Sequence, residues 1–434
     1  MRSTPTFPFR PPINNSLFIK LVQYILEPIM LLLIPKISKI EIDPGDLSLL
    51  KSLKGKRVIL TPNHAEMTEP YVIFALSRML REEFNYLTAR EVFEDYFPAG
   101  RLLQALGCYS VIRGAPDRNA LRATTEILVE GKHWLVIFPE GVAVGLGDAL
   151  MPFQPGIGQF AFRAYEELIK RGIDGHILFI PIAVRMFYLQ KMDVPIDRAL
   201  QRLEKKLIPG VNQGGKDPLE RLFQLGDTLL QTREKEYGIH SRPDTPLSER
   251  IGFMKELIIA RTAKQIGIED HTEQILPDRL RELINALDQM MHNKIQGSDQ
   301  EQKNQRNQRD KAKTLSKRLE TAVNFMALDS CYLKSQMTTE RFLDIVGLLE
   351  KEVFGKRRFW GQRKAVIKVG KPVDLYEYKE RFSKNRKNTL QEISGTLESA
   401  VRSMLLELSA LCQHMKPSIA GISGISHPRQ VEPP

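Results

Sequence analysis

Cysteine is scarce in this chain of 434 residues: there are three, Cys108, Cys331 and Cys412, far apart and at no metal-ligand spacing. That count excludes a disulfide-stapled or cysteine-based zinc framework, and it fits a reducing, cytosolic compartment. An H-E-x-x-H pattern is missing too, which excludes the helical zinc site that such spacing builds. No helix-turn-helix, zinc finger or aromatic RNA-reading signature occurs. The net charge of +11 and pI near 9.4 therefore point to an anionic membrane surface and not to nucleic acid. A long apolar run is lacking as well. The uninterrupted stretch Ile29 to Ile34 is far too short to cross a bilayer, which takes about 20 residues. With 42% hydrophobic and 26% charged residues, the chain is an ordinary folded protein with a real core.

The most apolar region is "SLFIKLVQYILEPIMLLLIPK", Ser16 to Lys36. It has no small-residue cleavage site and is not read as a signal peptide. Ser16, Lys20, Gln23 and Glu27 recur at helical spacing and form a polar stripe, with Leu, Ile, Phe, Val and Tyr on the rest of the surface. This pattern predicts an amphipathic helix lying in the plane of the membrane interface, the alternative being a helix packed on the protein's own core.

Apolar runs then alternate with helical patterns: "RVILT" (57–61), "FNYLTA" (84–89), "GCYSVI" (107–112), "WLVIF" (134–138) and "ILFIPIAV" (177–184). Between them, "DRNALRATTEILVEGK" has Asp117 as N-cap and Gly131 as stop. Alternation of this kind predicts an α/β domain with a mainly parallel sheet flanked by helices. Ligands of such sheets sit beyond the strand ends, in the connecting loops. His64, Arg113 and the "FPEG" stretch (Phe138 to Gly141) each follow a predicted strand and so open onto one crevice. From about Leu189 to Arg358 the chain reads as helices. A polar segment near 296–313 within it is a mobile loop or a solvated helix extension. A strand, "KAVIKVG", and a helix at about 388–411 come next. The expected organisation is an N-terminal membrane-associated region (1–44), an α/β core (45–190), a helical insertion (191–360), a last strand and helix completing the core (361–412), and a disordered tail (413–434).

"NHAEMTEP" places a glutamate five residues after a histidine. Transfer of an acyl group from a thioester to a hydroxyl needs a base near neutral pKa, a carboxylate to fix its tautomer, and donors for the oxyanion. Taken alone the spacing is a weak signal, since such pairs recur by chance. The ordered set "NHAEMTEP", "GCYSVIRG", "FPEG", "PFQPGIGQFA", "IPIAVRM" and "VIKVGKPV" resembles the glycerolipid acyltransferase family, the 1-acylglycerol-3-phosphate (lysophosphatidate) acyltransferases. The match runs over about residues 50–190 and resumes at 363–410. The resemblance implies an acyltransferase α/β fold with membrane attachment, a long-chain acyl-CoA or acyl carrier protein as donor, no cofactor, and membrane lipids as partners. By position it makes His64 the general base, puts Glu69 where the family has aspartate, and gives Arg113 the acceptor phosphate. Phe138, Pro139, Glu140 and Gly141 fall on the third motif and Pro181 on the fourth, beside the acyl chain. Three features depart from the family pattern. Glu69 is longer than aspartate by about 1.5 Å. Ser110 stands at an aromatic position, next to Tyr109. "VAVG" follows "FPEG" where Thr-Arg or Ser-Arg is common. The default acceptor is 1-acylglycerol-3-phosphate; another lipid alcohol and a catalytically silent, membrane-bound acyl-lipid scaffold are the alternatives.

Overall fold

The computed structural model describes residues 9–412 and 415, apart from 96–98, 114–116, 212, 243, 293–297, 329–331 and 333–335. Residues 413–434, assigned above to a disordered tail, lie outside the described residues except for Met415.

The apolar runs form the strands of one eight-stranded sheet: β1 (Ile37–Ile42), β2 (Val58–Pro62), β3 (Phe84–Ala89), β4 (Cys108–Val111), β5 (Trp134–Val136), β6 (Leu178–Tyr188), β7 (Arg363–Val369) and β8 (Val373–Asp374). Its order is β1-β7-β6-β2-β5-β3-β4, with β8 also pairing β6. All pairings are parallel except those of β7 and β8 with β6. Every residue of β2 is buried, as a parallel strand covered on both faces requires. The fold is thus α/β, with a mostly parallel sheet between helical layers.

One layer holds α1 (Ser16–Leu33), α2 (Pro44–Ser52) and α3 (Glu69–Leu80). Leu31, Leu50, Val72, Ile73 and Leu76 pack there on Leu60, Val136 and Ile180 of the sheet. The other layer holds α6 (Arg118–Glu130), α7 (Gly156–Lys170) and α15 (Arg386–Ser409), whose Leu128, Phe162 and Leu397 pack with Ile59 and Phe179. Asp117 caps α6, accepting from the N–H groups of Asn119 and Ala120 at 3.1 and 3.0 Å, and Gly131 ends it at φ 63°. Two short helices, α4 (Arg90–Asp95) and α5 (Ala99–Ala105), link β3 to β4.

After β6 the chain leaves the sheet for α8 (Asp193–Leu207), α9 (Pro218–Tyr237), α10 (Leu247–Ile266), α11 (Leu276–His292), α12 (Asp299–Asn324) and α13 (Thr339–Phe354). These bury a core of their own, which also takes in Val142, Val144, Leu146 and Met151 from the loop after β5. The polar stretch near 296–313 is helical from Asp299 on; the backbone N–H of Ser298 donates to Glu301 Oε2 at 2.8 Å at its start. A last short helix, α14 (Lys379–Lys384), precedes α15.

Two features of the N-terminal region differ from the sequence reading. Residues 37–42 are an edge strand, not part of a helical region. In α1 the polar stripe does not face water throughout: Gln23 and Glu27 are buried against the domain. Gln23 Nε2 donates to Ser77 Oγ at 2.8 Å and to the Glu82 carbonyl at 3.0 Å, and Glu27 pairs with Arg78 at 3.2 Å. Those bonds offset the desolvation of Gln23, whereas burial outweighs Arg78 at Glu27 and raises its pKa. The side left open is apolar: Leu17, Leu21, Tyr24, Ile25, Ile29, Leu32 and Leu33 are exposed. By length and composition this helix could cross a membrane.

Candidate functional site

Parallel strands bring their C-terminal ends to one edge of the sheet, and three of the loops leaving it carry the candidate residues. The first leaves β2. Asn63 is fully buried and clamps this loop to β6: its Nδ2 donates to the Val184 carbonyl at 3.1 Å, and the Val184 N–H donates to its Oδ1 at 2.7 Å. His64 follows, with 18% of its side chain exposed. Its Nδ1 lies 3.4 Å from Glu69 Oε2. That is longer than a full hydrogen bond, as is common before substrate closes a site. Glu69 opens α3 and is 1% exposed. Its other oxygen, Oε1, accepts the Glu66 N–H at 2.9 Å, so the carboxylate is aimed. In the loop between the two residues Met67 holds φ 66°. A left-handed non-glycine residue costs on the order of 1–2 kcal/mol, and it persists where the surroundings over-determine it.

The second loop leaves β5. Phe138 lies against the imidazole of His64, ring centroids 4.5 Å apart and planes tilted by 38°. Phe138 to Gly141 make a turn in which the Gly141 N–H donates to the Phe138 carbonyl at 3.3 Å. Gly141 sits at φ 69°, and a Cβ there would come within 3.0 Å of Gln154, so glycine suits both demands. The carbonyl of the buried Pro139 accepts the Gln154 N–H at 3.0 Å. Glu140 is fully buried and its carboxylate points inward onto backbone. Oε1 accepts the His64 N–H at 2.5 Å and Oε2 the Met151 N–H at 2.8 Å. Burial pushes this carboxyl up to about 8, against the pull of those two N–H groups. Glu140 therefore ties the first loop to the second.

The third loop leaves β4. Arg113 Nη1 donates to the Gly141 carbonyl at 2.6 Å, and its Nη2 pairs with Glu91. Burial lowers its pKa, while Asp288 acts to raise it. Tyr109 is a core residue whose hydroxyl lies 2.7 Å from Thr124 Oγ1. Pro181 lies within β6, buried and in register with Thr61 of β2, its carbonyl accepting from the Gly370 N–H at 2.9 Å. The structure thus brings together His64, Glu69, Arg113, Phe138, Glu140 and Gly141. Pro181 belongs to the sheet behind them.

The helical insertion reaches the same edge, which the sequence reading missed. From α11, Arg281 donates through Nε to the Glu140 carbonyl at 3.2 Å and through Nη2 to the Pro152 carbonyl at 2.7 Å. Asp288, two turns on, pairs with Arg90. Behind the first loop, Glu66 is bound by Arg363 Nη1 at 2.6 Å, and Arg357 links Asp344 of α13 to the same cluster. The pattern of buried residues gave no cue to these partners, because they come from distant parts of the chain.

Residues 47–185 match the model of the family described as Acyltransferase. That stretch contains β2 to β5 and most of β6, with every residue of the three loops named here, and the match supports acyl transfer as its activity. No curated protein matches the chain.

Proposed function

We propose that this protein is an O-acyltransferase that moves a fatty acyl chain from an acyl thioester, acyl-CoA or acyl carrier protein, to the hydroxyl of a glycerolipid. The default acceptor is 1-acylglycerol-3-phosphate, giving phosphatidic acid. The observation that carries this reading is the pairing of His64 Nδ1 with the buried, aimed carboxylate of Glu69. With Nδ1 protonated toward Glu69, Nε2 is left as the base. It takes the hydroxyl proton while that oxygen attacks the thioester carbonyl. Collapse of the tetrahedral intermediate breaks the carbon–sulfur bond, and the imidazolium returns the proton to the departing thiolate. Glu69 supports the imidazolium in between. The nucleophile belongs to the substrate, so no serine or cysteine of the protein is needed.

A second reading, an acceptor lipid alcohol without phosphate, is favoured by one observation. Arg113, the phosphate anchor by resemblance, is engaged by Glu91 and the Gly141 carbonyl. A phosphate must displace or share those partners to bind it in paired, charge-assisted fashion.

The reading includes a membrane. The open apolar side of α1 fits a helix lying in the lipid interface while its buried Gln23 and Glu27 hold the domain. The domain then sits as a peripheral or monotopic body on the cytoplasmic face. The test offers the purified protein, in detergent, a panel of lysolipids and lipid alcohols with both donor types and reads products by mass spectrometry. Esterification of lysophosphatidate supports the first reading; esterification of neutral alcohols alone supports the second. No product from any pair overturns both and leaves a silent acyl-lipid scaffold.

A further inference from the structure

We propose that Arg363 is a positioning residue of the transfer site, holding the His64–Glu69 pair through Glu66. This rests on the base reading given above. Arg363 is the first residue of β7 and is 1% exposed. Its guanidinium plane divides its donors between two acceptors. Nε and Nη2 both donate to the Pro35 carbonyl, at 3.1 and 2.9 Å, and Nη1 donates to Glu66 Oε2 at 2.6 Å. Phe359 covers the guanidinium, 4.1 Å from ring centroid to Cζ. The Arg363 backbone N–H donates to the Lys36 carbonyl at 2.8 Å, so Arg363 is fixed at both ends.

Glu66 stands inside the first loop, between the base and its carboxylate. Its side chain points away from them, into the buried cluster, while its backbone N–H donates to Glu69 Oε1 at 2.9 Å. Burial acts to raise the Glu66 pKa, but Arg363 and Arg357 outweigh it and hold the carboxyl well below the usual range. Glu66 is therefore ionised and bound to Arg363. An unbroken path of polar contacts then runs from the end of α1 to the base: Pro35 carbonyl, Arg363 guanidinium, Glu66 carboxylate, Glu66 N–H, Glu69 carboxylate, His64 Nδ1. The loop needs such an anchor, since Met67 next to Glu66 holds a left-handed conformation that side chains resist. Without Arg363, Glu66 has reason to turn toward water, and its N–H leaves Glu69. The carboxylate then loses the bond that aims its second oxygen at the imidazole.

Arginine suits this place because one planar fork serves a carbonyl twice and a carboxylate once; a lysine ammonium is a point charge without that geometry. The contribution is to orientation and not to substrate contact, so it belongs in kcat.

The test uses the full chain in detergent micelles, following thiol release from the acyl donor with saturating acceptor, and thermal melting of each variant. Arg363→Met is expected to lower kcat by about 10–100-fold, the scale of a small misplacement of catalytic groups, with KM for donor and acceptor each within about threefold. Arg363→Lys should recover part of that loss. Arg363→Met takes the 2.6 Å bond from a buried carboxylate, leaves it to the more distant Arg357 at 3.8 Å and can unfold the chain, so the deciding variant is Glu66→Gln/Arg363→Met, which removes one charge of each sign. It should remain folded and lose no more than the worse single variant, because both act on one path. A folded double variant with wild-type kcat overturns the proposal, as does a loss confined to KM. His64→Ala separates the two levels. If it turns over normally, the base reading itself fails. If it is dead while the double variant is fully active, only the role of Arg363 fails.

Discussion

Replacing Glu69 by glutamine tests the base–carboxylate pair with the smallest change of shape. The carboxylate uses both oxygens: Oε1 accepts the Glu66 N–H at 2.9 Å and Oε2 faces His64 Nδ1 at 3.4 Å. A glutamine amide has one acceptor for these two places. If its oxygen keeps the Glu66 N–H, its NH2 faces Nδ1. The imidazole must then carry its proton on Nε2, and the atom that should accept from the hydroxyl is blocked. If the amide flips, the imidazole keeps the productive tautomer but the Glu66 N–H is left facing a donor. A buried unsatisfied donor costs about 1–3 kcal/mol. Either way the negative charge that supports the imidazolium is gone. The loss expected in kcat is therefore about 10²–10⁴-fold, the range for general acid–base groups. Glu69→Asp keeps the charge and moves it back by about 1.5 Å; with loop relaxation it should stay within about tenfold of wild type. The assay is thiol release from the acyl thioester at saturating donor and acceptor, with circular dichroism to show that each variant is folded. A folded Glu69→Gln enzyme with kcat within about threefold of wild type would refute the pairing.

Three further expectations follow from the same geometry. Arg113→Lys should raise KM for a phosphate-bearing acceptor by about tenfold or more while donor KM stays within about twofold, because an ammonium cannot reproduce the paired contacts; unchanged acceptor KM in steady-state kinetics points to a neutral acceptor. Glu140, lifted from 4.5 to about 8 in the folded protein, keeps a proton that the unfolded chain releases, so its contribution to stability falls as pH rises through that window. Melting temperatures at about pH 5 and about pH 8.5 should therefore differ less in Glu140→Gln than in wild type, and an equal difference would refute the account. Changing Leu21 and Ile25 on the open side of α1 to serine should weaken sedimentation with anionic vesicles without altering melting, since each apolar side chain that inserts contributes roughly 1.5–3 kcal/mol at best; high salt should weaken binding only partly. Variants that sediment like wild type would place the contact elsewhere.

The legible parts of the fold are those with short-range patterns. Strand β3 is the run "FNYLTA" residue for residue, and Asp117 and Gly131 bound α6 as their backbone chemistry requires. Strand β1 was not legible, because "ISKIEI" puts Lys39 and Glu41 on an edge where charge is at home. The stripe on α1 was seen, but its direction depends on Ser77 and Arg78, whose availability no periodicity reports. At the site, the order of the motifs carried His64, Arg113 and the "FPEG" turn to one edge of the sheet. The inward aim of Glu140 was hidden, since a carboxylate in a turn reads the same whether it faces backbone or substrate. Glu66 was hidden more deeply: its partner lies 297 residues away in the chain.

The position of β7 also sets an order of events during synthesis. Among the described residues β1 pairs with β7 alone, and β7 is made after the whole helical insertion. Pro35 and Arg363 are 328 residues apart. At about 5–20 residues per second, roughly 15–65 s pass between the emergence of α1 and that of the strand which closes the sheet beside it. Through that interval β1 lacks its partner and α1 presents its apolar side, and from the emergence of β6 onward the edge of β6 that β7 will cover is open. A ribosome that stops between Tyr188 and Arg363 releases a chain in which β1 is unpaired and one edge of β6 is bare, the kind of surface that recruits other chains.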